Sequence, residues 1–185
     1  MSDLSELPDL TGKHVAIIAT DHFEESELTT PRDQLEAAGA DVRIFAPHEG
    51  TLQAMEGDVD KTISVRVDGT LDGFNRQWPD VIVLPGGTVN ADHIRQDEQA
   101  RGIVSDALGS GLPVAAICHA PWLLVSADLV KGRRLTSYPS LEVDIRNAGG
   151  EWVDETVVVD GNLITSRNPD DLPAFVDAIG QALTA

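Results

Sequence analysis

The sequence holds a single cysteine, Cys118, so it forms no disulfide within the chain and builds no multi-thiolate zinc site. That leaves two readings of the thiol, a small buried hydrophobe or a reactive group. Basic residues are also scarce: 13 Lys and Arg stand against 31 Asp and Glu, a net charge of -18. Such a surface repels phosphate backbones and anionic membranes, so neither nucleic acid nor a membrane is expected as a partner. No apolar run approaches the ~20 residues that cross a bilayer, and MSDLSELPDLTG at the start has neither the basic region nor the apolar stretch of a secretory signal. A cytoplasmic location is expected. Aromatics are only 4% of residues, so the interior is to be assembled from Val, Ile, Leu and Ala, the composition of packed α/β layers.

The apolar residues fall into short runs alternating with helical patterns. HVAIIAT (14–20) and DVIVLPGG (80–87) read as strands buried on both faces, the second running into a glycine turn. Residues 24–38 carry Leu28, Leu35 and Ala38 at helical spacing, with acids in the first turn and Gly39 at the end. DVRIFA (41–46) predicts a second strand, and the alternation in TISVRVDG (62–69) a peripheral antiparallel element. A helix is expected over 91–108, stopped by Gly109 and Gly111, then a strand from 112 that changes to helical period after Cys118. A short strand over 133–137, a Pro-started helix to 149, paired strands over 152–159 and 162–166, and a closing helix over 171–183 complete the chain. Residues 1–12 read as a flexible acidic extension and 13–185 as one domain. Right-handed crossovers turn this order into a flavodoxin-like three-layer α/β sandwich: a mostly parallel sheet, helices on both faces and a peripheral hairpin. Ligands bind such sheets at the carboxyl ends of the strands, where the loops after Thr20, Leu84 and Ile117 lie.

Those loops hold the unusual residues. A strand turning abruptly into a helix would hold Cys118 at a helix N-terminus, where amide groups and the dipole favour a thiolate. His119 is its sequence neighbour and needs an acid to orient it. Gly86 and Gly87 form either a plain tight turn or, beside the thiol, part of an oxyanion hole. In FEESEL, Glu24 and Glu27 share a helix face and both can approach the Cys118 loop, whereas Glu25 points elsewhere; a solvated helix start is the plainer reading of the cluster. A buried Glu there would be partly protonated and able to shuttle a proton.

TDHFEESEL, VIVLPGG, PVAAICHAP, GRRLTSYPS, NAGGEWVDE, VVVDGN and TSRNPDDLPAF occur in order over nearly the whole chain. Together they resemble the PfpI family of the class I glutamine-amidotransferase-like superfamily, which includes intracellular proteases, general stress proteins and the parkinsonism-associated deglycase. The resemblance implies that Cys118 is the nucleophile, His119 its partner and Glu27 the acid that hydrogen-bonds the thiol. It further implies that Asp92 is the acid reaching His119 from an adjacent subunit, that Gly87 and the His119 amide form the oxyanion hole, and that Tyr138 lines the pocket with Glu24, His22 and Gly86. The chain departs from the family's usual pattern at His22, which is expected to add a second basic group near the thiol, at Ala120, where glycine is common, and at Asp92, where the longer Glu is usual.

Three activities follow as expectations. The first is a stress-protective, cysteine-dependent hydrolase or lyase acting on glyoxal-derived carbonyl adducts, with no cofactor or metal. The second is a cysteine peptidase whose Cys118, His119 and Asp92 are shared across a homo-oligomer; the third is a redox-sensing or chaperone-like stress protein. Substrates would be small carbonyl compounds, glycated proteins or peptides. Glutamine amidotransfer is not expected, because members of that class place His and Glu well downstream of the thiol in an H-x-E pattern and no histidine follows His119 here.

Overall fold

A computed structural model describes residues 7–185. The chain opens with β1 (His14–Ile18), β2 (Phe23–Glu24), α1 (Glu25–Ala37), β3 (Asp41–Ala46), β4 (Thr51–Glu56), β5 (Asp60–Arg66) and β6 (Gly69–Thr70). It continues through β7 (Val81–Leu84), α2 (Thr88–Ile94), α3 (Glu98–Ser110), β8 (Val114–Ile117), α4 (Pro121–Ser126) and β9 (Arg134–Leu135). It closes with α5 (Glu142–Asn147), β10 (Glu151–Trp152), β11 (Val157–Asp160), β12 (Leu163–Ser166) and α6 (Leu172–Thr184).

The main sheet runs β11-β12-β8-β7-β1-β3-β6, parallel throughout except for the edge pair β11 and β12. Its five inner strands β3-β1-β7-β8-β12 follow the doubly wound flavodoxin order, with the direction of winding reversing between β1 and β7. Alternate side chains of each central strand enter opposite core layers, which explains their unbroken apolar character. Val15 and Ile17 face the layer under α1 and α6 with Leu28, Leu35, Phe175 and Ile179. Ala16 and Ile18 face the layer under α3, α4 and α5 with Ile103, Val104, Leu124 and Ile145. The expected three-layer sandwich is therefore present.

Several local expectations are corrected. The helix expected over 91–108 is two helices, because the Asp97 side chain accepts a hydrogen bond from the Ala100 amide (2.8 Å) and caps a new start at Glu98. The peripheral hairpin joins β5 to β4, which went unrecognised, and β2 adds to β4 in parallel. The strand expected from Trp152 begins at Val157; Glu151 and Trp152 instead pair in parallel with β9. The Pro-started helix is a 3-10 turn over Pro139–Leu141 followed by α5. Residues 1–6 of the expected flexible extension lie outside the described residues. The rest of it is packed: Leu10 is fully buried and its amide donates to the Ala38 carbonyl (2.8 Å).

At the start of α6, Asp171 is nearly buried and takes three bonds from Arg167, two from the guanidinium (2.9 Å each) and one from the amide (3.0 Å). Replacing Arg167 with Ala strands that carboxylate in the interior. Arg167→Ala is expected to lower unfolding free energy by about 3 kcal/mol in urea titration, whereas an exposed pair such as Arg43 with Asp41 contributes below about 1 kcal/mol.

Candidate active site

The loops after β1, β7 and β8 meet at the carboxyl edge of the sheet, at the point where the winding reverses. Cys118 directly follows β8 with φ 63°, a left-handed backbone that non-glycine residues rarely adopt. Two backbone bonds hold it there: its amide donates to the Ser166 carbonyl (3.1 Å) and its carbonyl accepts from the Tyr138 amide (2.7 Å). The chain thereby turns before α4, and the sulfur projects toward β7 and α1 instead of continuing the pleat.

Gly86 is the close-approach point. A Cβ on it would lie 2.4 Å from Glu27 Oε2 and 2.7 Å from the Cys118 Cβ, so no side chain fits. Its amide donates to Glu27 Oε2 (2.8 Å). Gly87 has φ 87°, and a Cβ there would strike the backbone of His22, Phe23 and Glu24. The buried Asn90 staples the same turn: its Nδ2 donates to the carbonyls of Pro85 (3.0 Å) and Gly86 (2.9 Å), and its Oδ1 accepts from the Thr20 amide (2.8 Å). One side chain thus ties the end of β1 to the glycine turn.

Glu27 is fully buried, and Pro31 one turn later faces the same interior. Burial is the main cause that raises its carboxyl to about 8, with the Gly86 amide and the thiol opposing. The Cys118 thiol sits beside it, and Glu27 Oε1 has no hydrogen-bond partner. Burial pushes the thiol up, and the Glu27 charge adds to that; the Gly87 and His119 amides, both directed at the sulfur, act the other way. A turn that by itself favours a thiolate is therefore outweighed by burial while Glu27 is charged.

His119 lies on the other side of the sulfur, with Nδ1 3.2 Å from Sγ. Its ring stacks on Tyr138 at 4.6 Å and meets the edge of Trp122 at 5.6 Å. Nε2 faces Thr88 Oγ1 (3.5 Å) and Ser140 Oγ (3.4 Å). Burial lowers its basicity, and the nearby Asp58 charge opposes that shift.

These groups surround a cavity of about 330 Å³ lined by Glu24, Glu27, Asp58, Thr88, Cys118 and His119, with Tyr138 at its rim. Of the expected pocket residues, Glu24 and Tyr138 line it and Gly86 lies behind it. Glu24 also accepts a bond from the Gly57 amide (2.9 Å), which ties the hairpin tip to the start of α1. The His22 side chain is not part of the lining; its left-handed backbone (φ 65°) instead packs against Gly87, so the expected second basic group at the thiol is absent from the wall. Asp92 lies on α2, and within the chain it pairs with Arg95 (3.0 Å), whose guanidinium covers the Trp122 ring. Asp58, Thr88 and Ser140 escaped the sequence reading. Asp58 sits at the tip of a hairpin whose β4 strand was missed, and a glycine-aspartate turn between two alternating runs is the signal that would have found it. Among the described residues, no three His, Cys, Asp or Glu side chains cluster as metal ligands, and no helix is long and apolar enough to cross a membrane.

Comparison with known proteins settles the lineage. The DJ-1/PfpI family matches residues 13–182. The chain belongs to this family. It is 42% identical over 166 residues to protein/nucleic acid deglycase 2 of Escherichia coli, covering 89% of this chain and 94% of that protein. It is 38% identical to general stress protein 18 of Bacillus subtilis over the same shares. Among solved structures, Drosophila melanogaster DJ-1beta superposes with a TM-score of 0.84 at 31% identity, covering 92% of this chain and 90% of that one. A two-domain protein of Anabaena variabilis, with DJ-1/ThiJ/PfpI-like and ferritin-like domains, superposes with a TM-score of 0.88 at 35% identity over 93% of this chain. The present chain spans 48% of that longer protein.

Because the Glu27 carboxyl is raised from 4.5 to about 8, the folded state binds a proton that the unfolded chain releases between those values. Stability is therefore expected to fall as pH rises from 4.5 to 8. Glu27→Gln, which still accepts from Gly86, removes this dependence. Thermal melts of the two proteins should diverge with pH, with the variant gaining on the order of a few kcal/mol by pH 8.5 relative to pH 5.

Proposed function

We propose that the protein is a cysteine-dependent deglycase that removes glyoxal-derived adducts from amines. One observation carries this reading: a thiol set between a buried acid and an imidazole, facing a small cavity, with two amide groups directed at the sulfur. The deglycase names of several relatives support this reading.

The chemistry balances without a cofactor. As the Cys118 Sγ–C bond forms on the carbinol carbon of an N-glyoxal adduct, the C–N bond breaks and the thiol's proton ends on the departing amine. Glu27 on one side of the sulfur and His119 Nδ1 on the other are the groups that carry it. The Gly87 and His119 amides, which face the sulfur, receive the oxygen of the sulfur-bound carbon. A proton moved from that carbon to the neighbouring carbonyl carbon, with Glu27 as base, together with transfer of the hydroxyl proton to the neighbouring carbonyl oxygen, converts the thiohemiacetal into a thioester. Water then cleaves it to a 2-hydroxy acid and the free thiol.

A peptidase triad would require Asp92 of a second copy to reach His119. Within the chain Asp92 is held by Arg95, and His119 Nε2 already faces two hydroxyls, so the deglycase reading accounts for more of the geometry. Redox sensing is a companion to this reading, since a protonated Glu27 beside the sulfur would also hold an oxidised thiol.

The test uses a preformed methylglyoxal adduct of N-acetylarginine, with amine release measured apart from scavenging of free methylglyoxal. Wild type is expected to release the amine, and Cys118→Ala to be slower by at least about a hundredfold. Equal rates would overturn the proposal.

A further inference from the structure

We infer that Asp58, acting through Thr88, sets the tautomer of His119. The hairpin thereby supplies, from within the same chain, a positioning residue for the site. This rests on reading Cys118 as the reactive group, but its first readout does not depend on activity.

The argument is one of proton counting. Asp58 stands at the β4–β5 tip in a left-handed conformation (φ 62°), and its carboxylate accepts two bonds from Thr88: the amide to Oδ1 (2.8 Å) and the hydroxyl to Oδ2 (2.5 Å). A hydroxyl has one proton to give. With that proton directed at Asp58, Thr88 Oγ1 presents only lone pairs to His119 Nε2, 3.5 Å away. A hydrogen bond between the two then requires Nε2 to carry the hydrogen, the tautomer we assign. In a neutral imidazole this leaves Nδ1 bare, and Nδ1 faces the Cys118 sulfur at 3.2 Å. The bare nitrogen is therefore the one placed to take the thiol's proton. Ser140, the other neighbour of Nε2, has a hydroxyl free to accept the same N–H. Tyr138 and Trp122 face only the ring.

Asn tolerates the left-handed backbone, so Asp58→Asn keeps the turn while changing the proton pattern. An amide offers one acceptor where the carboxylate offered two. Thr88 can no longer give both its N–H and its O–H to residue 58 through separate oxygens. Its hydroxyl becomes free to donate to Nε2, which puts the hydrogen on Nδ1, against the sulfur.

The experiment is 15N NMR of the imidazoles near pH 7.5, with the His119 resonances assigned by loss in His119→Gln. Wild type is expected in the Nε2–H form. Asp58→Asn and Thr88→Val are expected to move it toward Nδ1–H or a mixture, while Thr88→Ser, which keeps the hydroxyl, restores the wild-type pattern. Iodoacetamide alkylation of Cys118 should fall about tenfold in the first two variants and recover in Thr88→Ser, with melting curves showing that each is folded. The inference is overturned if wild type shows Nδ1–H, if the tautomer is unmoved in Asp58→Asn and Thr88→Val, or if Ser140→Ala alone shifts it. Loss of deglycase activity in wild type with the expected tautomer pattern intact would strike the functional reading and leave this one standing.

Discussion

Everything at the site depends on how closely the backbone of Gly86 passes between Glu27 and Cys118. A side chain at that position would occupy the space already filled by a carboxylate oxygen and by the cysteine's own Cβ. Because nothing intervenes, α1 and the strand-end loops of β7 and β8 close around the Glu27 carboxylate and bury it completely. That burial is what raises Glu27. The same burial that makes the thiol hard to ionise raises the Glu27 carboxyl beside it. Packing and chemistry here are one constraint, with the glycine as its narrowest point.

The surrounding fold serves to hold that approach. Asn90 joins β1 to the glycine turn with three bonds to backbone groups, and Ser166 and Tyr138 clamp Cys118 from the strand and the loop on its other side. Each clamp comes from a different element of the sheet edge, so the left-handed backbone of Cys118 is over-determined by its neighbours. The two core layers, built almost wholly from aliphatic side chains, keep those elements in register.

The central sheet was legible because strands buried on both faces leave an unmistakable run of Val, Ile and Ala, as in HVAIIAT and VIVLPGG. Cys118 stood out because the period of the pattern changes at that residue. Other features were hidden for physical reasons. Ala91, Ile94, Ala100 and Ile103 keep an apolar face across Asp97, which masks the break that its cap introduces. β4 reads TLQAME, half polar because it belongs to a small outlying sheet, so its alternation is weak and Asp58 at its turn passes for an ordinary loop acid. The burial around the thiol was hidden for a related reason. A helix start can be read from residue types, but the depth of Glu27 depends on a glycine 59 residues away.

The hairpin that carries Asp58 belongs to a sheet of its own, and the outer strand is largely open to solvent. Its inner strand is packed into the core through Leu52 and Ala54, while its tip is held by polar contacts and β4 pairs briefly with β2. The tip alone is a detachable fitting at the rim of the reaction chamber. Lengthening or rewriting it would re-cut the entrance, and with it the choice of substrate, while the chamber floor and the aliphatic interior beneath stayed as they are.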